Sequence, residues 1–383
     1  VTIADPAWLA ERLRAQASVE RARALQELAQ LSAIDAPTGD PEALREPEQL
    51  LAGYLAEIGG ELRRHPSALG THLEARLGKG DAEPILVLGH YDTVWPRGTV
   101  AVRPFTLENG IARGPGVLDM RGGLVVALGA IRALNDLGAL RRPVIVLFTA
   151  DEESGSVESE RLILSLGGRV SAALVLEAPL PGGALKTARK GVVGYRLEVS
   201  GRQAHAGHEP ERGVSAVSEL LDLLRDVEAF AHPEMGTTVN VGLLGGGSAP
   251  NVVAGSAFAE VDVRVATLEE YERIEAAFSV LRPVRAGAEV TVTRTHGRPP
   301  MERTAAIAEA AGRARELAAL LGIELGEGET GGGSDGNLLA PLGIAVVDGV
   351  GPEGEGAHAP HEHIVLRSLE ERIALVALLI ALL

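Results

Sequence analysis

Apolar residues recur at spacings of three and four through AWLAERLRAQ, RARALQELAQLSAI and ALREPEQLLAGYLAEIGG. The segment APTGD interrupts them as a turn, so residues 1 to about 80 read as helices. From Pro84 the pattern changes. PILVLGHYDTV is an apolar run of strand length that ends in polar residues, LVVALGAIRALNDLG is a helix, and VIVLFTADEE and AALVLEAP are further strands of the first kind. Strand, helix and strand in that rhythm predict an α/β fold with a mainly parallel sheet and helices on both faces.

Around Lys190 long apolar runs give way to alternation. GYRLEVSG alternates, ERGVSAVSELLDLLRDVEAF is a helix, and TTVNVGLLGGGSAPNVVAGSAFAEVDVRVAT reads as two alternating strands joined by a glycine-rich loop. TLEEYERIEAAFSVL adds a helix and AEVTVTRTHG another strand. This is the pattern of a small α+β domain with one sheet face covered. After Arg298-Pro299-Pro300 helices return, followed by the apolar strand GIAVVDGVG. The expected organisation is one α/β domain over residues 1–187 and 298–383, interrupted by an α+β insert over 188–297.

Composition narrows the chemistry. Among 383 residues there is no cysteine, which excludes disulfide scaffolds, zinc ribbons, thiolate-held iron–sulfur clusters and cysteine nucleophiles. Any metal must sit on carboxylates and imidazoles. The net charge of −16 disfavours nucleic acid as a partner. The longest apolar run, Ile373 to Leu383, has 11 residues and is too short to span a bilayer, so it reads as the end of a buried helix and no membrane partner is expected. The start, VTIADPAWLAERLRAQ, has a helical pattern of mixed charge rather than that of a signal peptide, and a cytoplasmic protein is the expectation. No G-x-G-x-x-G joins a strand to a helix with an acid about 20 residues on, so a dinucleotide site is not expected.

Four polar stretches then stand out, three at strand ends and one before a helix. In GHYDTV, His90 and Asp92 point to the same side of an extended segment, so the carboxylate can orient the imidazole. Asp119 lies in GPGVLDMRGG just before a helix, TADEESGS holds Asp151, Glu152 and Glu153, and LEAP holds Glu177. A single strand-end acid is usually a cap or a solvated loop residue. Four such stretches in one α/β unit are better explained by a site, since sites collect at the carboxyl ends of parallel strands. Packing His90, Asp119, Glu153 and Glu177 together would raise every carboxylate pKa unless a cation neutralised them. The donor set suits zinc, with cobalt or manganese as alternatives. Two ions fit better than one, since a bridging carboxylate holds metals about 3.5–4 Å apart around a shared water. Of Glu152 and Glu153, one would bind metal and the other take a proton, and the local pattern does not say which. In GEGAHAPHEHI, His358, His361 and His363 are each candidates for the remaining imidazole.

Together, GHYDTVWPRGT, GPGVLDMRGG, TADEESGS, LEAP, GRQAHAGHEPERG, NVVAG followed by EVDVR, GGGSDGN and GAHAPHEHI resemble the di-zinc aminoacylase and carboxypeptidase family, with the folate-hydrolysing glutamate carboxypeptidases of bacteria as the nearest branch. The resemblance covers residues 15 to 380 or so. It implies two zinc ions per subunit: His90 and Glu177 on one, Glu153 and His358 on the other, and Asp119 bridging. It also implies Glu152 as general base, Asp92 as the residue that orients His90, and Glu362 in the acidic place after His358, with no role for His361 or His363. The insert is implied to be a dimerisation domain, whose His205 reaches a neighbouring subunit's site and stabilises the oxyanion. Asn240 and Arg264 are implied to grip a substrate carboxylate.

Arg264 makes physical sense in that place, because Glu260, Asp262 and Arg264 share one strand face and a guanidinium binds a carboxylate through two parallel hydrogen bonds. A pair with Asp262 competes with that reading, although same-strand contacts two residues apart are poor. Ser334, in the GGGSDGN loop, brings backbone N–H groups for the same anion. ARKG, residues 188–191, departs from the glutamate carboxypeptidase pattern, which weakens the inference to glutamate. The expectation is a homodimeric zinc hydrolase that cleaves the amide bond of an N-acyl amino acid or of the C-terminal residue of a short peptide, in the manner of a glutamate carboxypeptidase. The alternative is a deacylase of the acetylornithine or succinyl-diaminopimelate kind.

Overall fold

The computed structural model describes residues 5–383, so the first four residues of the leading segment lie outside it. Asp5 starts the helix Pro6–Ser32: its carboxylate accepts the Ala7 N–H at 2.9 Å, and Pro6 presets φ in the first turn. Arg132, on the helix Gly122–Asp136, joins that helix through buried hydrogen bonds to Glu20 at 2.6 Å and to Glu27 at 2.9 and 3.0 Å. The charges are thereby paired where the two helices pack. The last helix, Leu366–Leu382, packs against both and buries Ile373 to Ile380, as the long apolar run predicts. Among the described residues, no helix is long and apolar enough to cross a membrane.

The fold divides into two compact units. The larger takes in the described chain through Ala188, Arg303–Thr330 and Ser334–Leu383; the smaller takes in Arg189–Glu302 and Gly331–Gly333.

In the larger unit an eight-stranded mixed sheet is flanked by helices. Its centre is four parallel strands in the order Val144–Thr149, Ile85–His90, Ala172–Val175 and Ala345–Asp348. These strands are buried almost throughout, which is why they read as continuous apolar runs. The outer strands depart from the mainly parallel expectation. Glu61–Pro66 and Thr71–Leu77 form an antiparallel hairpin against one side, and Leu185–Arg189 runs antiparallel on the other.

That hairpin also corrects the all-helical expectation for the first 80 residues. Its strands carry polar residues on both faces. Buried Glu74 is paired with His65 at 2.9 Å and Arg76 at 2.8 Å, and buried His72 accepts the Ala150 N–H at 3.2 Å. Inward polar groups with hydrogen-bonded partners thus hide the apolar signature of a strand.

Two details position the site. A Cβ on Gly123 would lie 2.0 Å from the Leu176 carbonyl oxygen, so only glycine lets the helix Gly122–Asp136 meet the strand end that leads to Glu177. A second sheet, ordered Gly354–Glu355, His363–Val365, Ile111–Arg113 and Thr106–Glu108, pairs Ile364 with Ala112. It lays the loop 356–362 beside the loop 114–121.

The smaller unit is a four-stranded antiparallel sheet in the order Thr238–Gly246, Ser256–Val265, Gly191–Ser200 and Glu289–Arg298. Alternation is clear in Ser256–Val265, where Ala257, Ala259, Val261, Val263 and Val265 are buried. They share a core with the helices Ala216–Glu228 and Leu268–Ser279, which Ser215 and Thr267 cap through Ser218 N and Glu270 N.

Candidate metal centre

The site is built at the carboxyl ends of the parallel strands. His90 is the last residue of its strand, Glu152 and Glu153 occupy the turn after Val144–Thr149, and Glu177 follows Ala172–Val175. Asp119 comes from the loop before the helix Gly122–Asp136, and His358 from the loop 356–362.

These side chains form two donor groups, and within each group the donor atoms lie within 4.8 Å of one another. One group is His90, Asp119 and Glu177; the other is Asp119, Glu153 and His358. Asp119 belongs to both. Its Oδ1 lies 3.2 Å from His90 Nε2, and its Oδ2 lies 3.2 Å from His358 Nε2. Glu177 Oε1 stands 3.7 Å from His90 Nε2, and Glu153 stands 3.2 Å from His358 Nε2.

Asp92 sits behind this front. The Nδ1 of His90 lies 3.0 Å from the Asp92 carbonyl oxygen and 3.4 Å from its carboxylate, which turns Nε2 towards Asp119. The same carboxylate accepts Thr38 Oγ1 at 2.6 Å and the N–H groups of Glu152 and Glu153 at 3.3 and 3.2 Å. Asp92 therefore ties the His90 strand end to the turn that carries both glutamates. Glu152 is buried, with Oε2 3.9 Å from His90 Nε2.

The electrostatics favour a cation. Burial pushes the Glu153 carboxyl up to about 7, against a hydrogen bond from His358 and with help from neighbouring Asp119. Burial would raise Asp119 too, but hydrogen bonds from His358 and His90 hold it well below the carboxylate range. Hydrogen bonds to the carboxylates of Asp119 and Glu153 lift His358 to about 10. His90 is also raised: Asp119 and Asp92 outweigh its burial. Taken alone, the cluster balances its carboxylates by holding protons on two imidazoles. Divalent ions would displace those protons, and three carboxylates with two imidazoles form a donor set that zinc accepts. The residues fit a dinuclear metal centre.

The other expected residues belong to neither donor group. Ser334 is buried, and its hydroxyl donates to Asp348 Oδ2 at 2.7 Å, so its side chain is engaged within the fold. Neighbouring Asp335 accepts Thr149 Oγ1 at 3.3 Å and Ser156 Oγ.

In the smaller unit Asn240 is exposed and pairs across the strands with Asp262. Arg264 does form the same-strand pair that the sequence reading disfavoured: its Nε and Nη2 donate to Asp262 at 2.8 and 3.0 Å. Arginine is long enough to fold back along the strand, which shorter side chains cannot do.

His205 is exposed, and its Nδ1 accepts the N–H groups of Gly207 and His208, both at 3.1 Å. That leaves the proton on Nε2, so the outward nitrogen is a donor.

One residue gained weight from the structure. In the sequence Glu362 is only a motif position, yet it is buried and accepts four hydrogen bonds from the Asp119 loop and Trp95. Periodicity carries no signal for such an anchor.

Comparison with known proteins agrees with this geometry. The profile of peptidase family M20/M25/M40 matches residues 86–382. Carboxypeptidase G2 of Pseudomonas sp. (strain RS-16) is 29% identical over 380 residues, covering 95% of this chain and 90% of its own. A succinyl-diaminopimelate desuccinylase of Gluconacetobacter diazotrophicus is 30% identical over 354 residues, covering 84% and 87%. Similar identities to proteins with different names do not single out one activity. The crystal structure of a tripeptidase from Staphylococcus aureus superposes with a TM-score of 0.76 at 22% identity, covering 94% of this chain and 98% of that one, which shows the shared fold. The chain belongs to peptidase family M20/M25/M40 and is a zinc-dependent hydrolase of amide or peptide bonds.

Proposed function

We propose that this enzyme removes the acyl group from an N-acylated amino acid by hydrolysing its amide bond, as a deacylase or desuccinylase does. The observation that carries the hydrolytic reading is the shared Asp119 carboxylate, 3.2 Å from both His90 and His358. His90 and Glu177 would hold one zinc ion, Glu153 and His358 the other, and Asp119 both. When bound, the ions supply Lewis acidity and lower the pKa of water.

The remaining work falls to the chain's own residues. Asp92 holds the His90 ring so that Nε2 faces the centre. Glu152 takes the proton of the attacking water on its carboxylate and passes it to the departing amine nitrogen as the C–N bond breaks. Arg264 and Asn240 orient the free carboxylate, which requires Arg264 to share its guanidinium with Asp262. In a homodimer, His205 of the partner subunit would donate its Nε2–H to the developing oxyanion. The long C-terminal helix and the sheet that carries the centre form the catalytic domain, with residues 188–297 as the dimerisation insert.

Support for deacylation comes from the desuccinylase relative, which matches across most of both chains. A second reading, removal of a C-terminal residue such as glutamate, is favoured by Carboxypeptidase G2, which spans 95% of this chain. A panel of N-acetyl, N-succinyl and dipeptide substrates separates them. Deacylation predicts higher kcat/KM on N-acetyl or N-succinyl amino acids than on dipeptides, and the reverse order overturns it.

A further inference from the structure

Glu362 is 2% exposed, yet among the described residues the hydrogen bonds its carboxylate accepts come from no cationic side chain. What it has instead is a ring of N–H donors. Its Oε1 accepts Leu118 N at 3.0 Å and Asp119 N at 3.1 Å. Its Oε2 accepts Gly116 N at 2.9 Å and the indole Nε1 of Trp95 at 2.9 Å. Three of these donors belong to the loop that presents Asp119. A buried carboxylate supplied in this way is strongly oriented, and it orients the backbone it binds.

The carboxylate also belongs to the loop that presents His358. Glu362 N donates to Ala359 O at 3.0 Å, and Ala359 N to Gly356 O at 2.8 Å, so the segment from Gly356 to Glu362 is a tight turn with His358 inside it. His358 itself adopts a φ of 60°, a conformation disfavoured for a residue with a side chain and held only where its surroundings impose it. The strand pairing of His363 with Arg113 brings the two loops together, and Glu362 then locks one to the other.

We propose that Glu362 is a positioning residue for the metal centre, fixing Asp119 and His358 relative to one another. The inference rests on the dinuclear reading above and sharpens it, because the two donor groups depend on Glu362 unequally. The group of His90, Asp119 and Glu177 receives one member from the locked loops. The group of Asp119, Glu153 and His358 receives two. Loss of Glu362 therefore weakens the second ion more than the first.

The substitution Glu362→Gln tests this, since an amide accepts at one end only and turns an NH2 towards two N–H donors. Wild-type and variant proteins are stripped by chelator and titrated with zinc against a competing indicator. Cobalt-loaded samples report the ligand field by their visible spectra.

The wild type is expected to bind two ions. In the variant one ion stays tight and the other weakens by about 10–100-fold. Its cobalt spectrum changes for the second equivalent only, and kcat recovers at high zinc with KM little altered. Trp95→Phe removes one donor and leaves the carboxylate in place, so a loss of roughly threefold for the second ion is expected. Should Glu362→Gln not fold, the Trp95→Phe result decides alone. Unchanged affinity for both ions, or equal weakening of both, overturns the proposal. A wild type that binds no zinc overturns the dinuclear reading itself, which separates the two failures.

Discussion

Asp119 meets His358 at 3.2 Å, Oδ2 to Nε2, across two loops that the sheet containing Ile111–Arg113 and His363–Val365 brings side by side. The other oxygen of Asp119 faces His90, so one carboxylate serves both donor groups. Asp119→Asn keeps its shape and removes the shared charge. Elemental analysis is expected to show both ions lost from the variant, while its circular dichroism stays native. Two ions retained at wild-type affinity would remove Asp119 from the bridging role.

Glu152 lies 3.9 Å from His90 but in neither donor group, whereas adjacent Glu153 is a member of one. The proposed proton transfer by Glu152 would therefore be separable from metal binding. Glu152→Ala is expected to lower kcat by about 10²–10⁴-fold with zinc content and KM nearly unchanged. Turnover close to wild type would assign the base elsewhere.

Much of this was legible in the chain and some was not. His90 and Glu177 were visible because each ends or closely follows an apolar run, and the buried faces of Ser256–Val265 showed in its alternation. The hairpin Glu61–Leu77 was missed because His72 and Glu74 point inward with partners, which breaks the apolar pattern. Residue spacing disfavours the Arg264–Asp262 pair, and only the side-chain conformation reveals it. Glu362 bonds backbone groups far away in sequence, and no local pattern encodes that choice.

Arg264 holds Asp262 through two hydrogen bonds, so under the proposed carboxylate-binding role substrate and aspartate would compete for one guanidinium. Removing Arg264 with Arg264→Ala is expected to raise KM by about 10–100-fold for a substrate with a free carboxylate and hardly at all for its amide. Asp262→Asn should act in the opposite direction and lower KM. Equal effects on acid and amide would exclude carboxylate recognition by Arg264.

Glu270 tests the stability of the smaller unit. It is buried and accepts Arg273 at 2.7 and 2.8 Å together with Thr237 Oγ1, and the Arg273 contact above all lowers its pKa to about 2. A depressed carboxyl stabilises the fold above its unfolded value of about 4.5, and that contribution is lost as pH falls towards 2. Glu270→Gln should therefore cost about 2 kcal/mol in urea unfolding at pH 7, with the gap closing below pH 4.5. A gap that does not change with pH would mean the carboxylate's charge is not what stabilises.

Stepwise return of zinc to chelator-stripped enzyme, with hydrolysis of an N-acyl amino acid followed at each addition, tests the metal centre most directly. Activity is predicted to be absent in the stripped protein and to reach its plateau at two ions per chain. Full turnover without metal, or a rate indifferent to added zinc, would contradict the account.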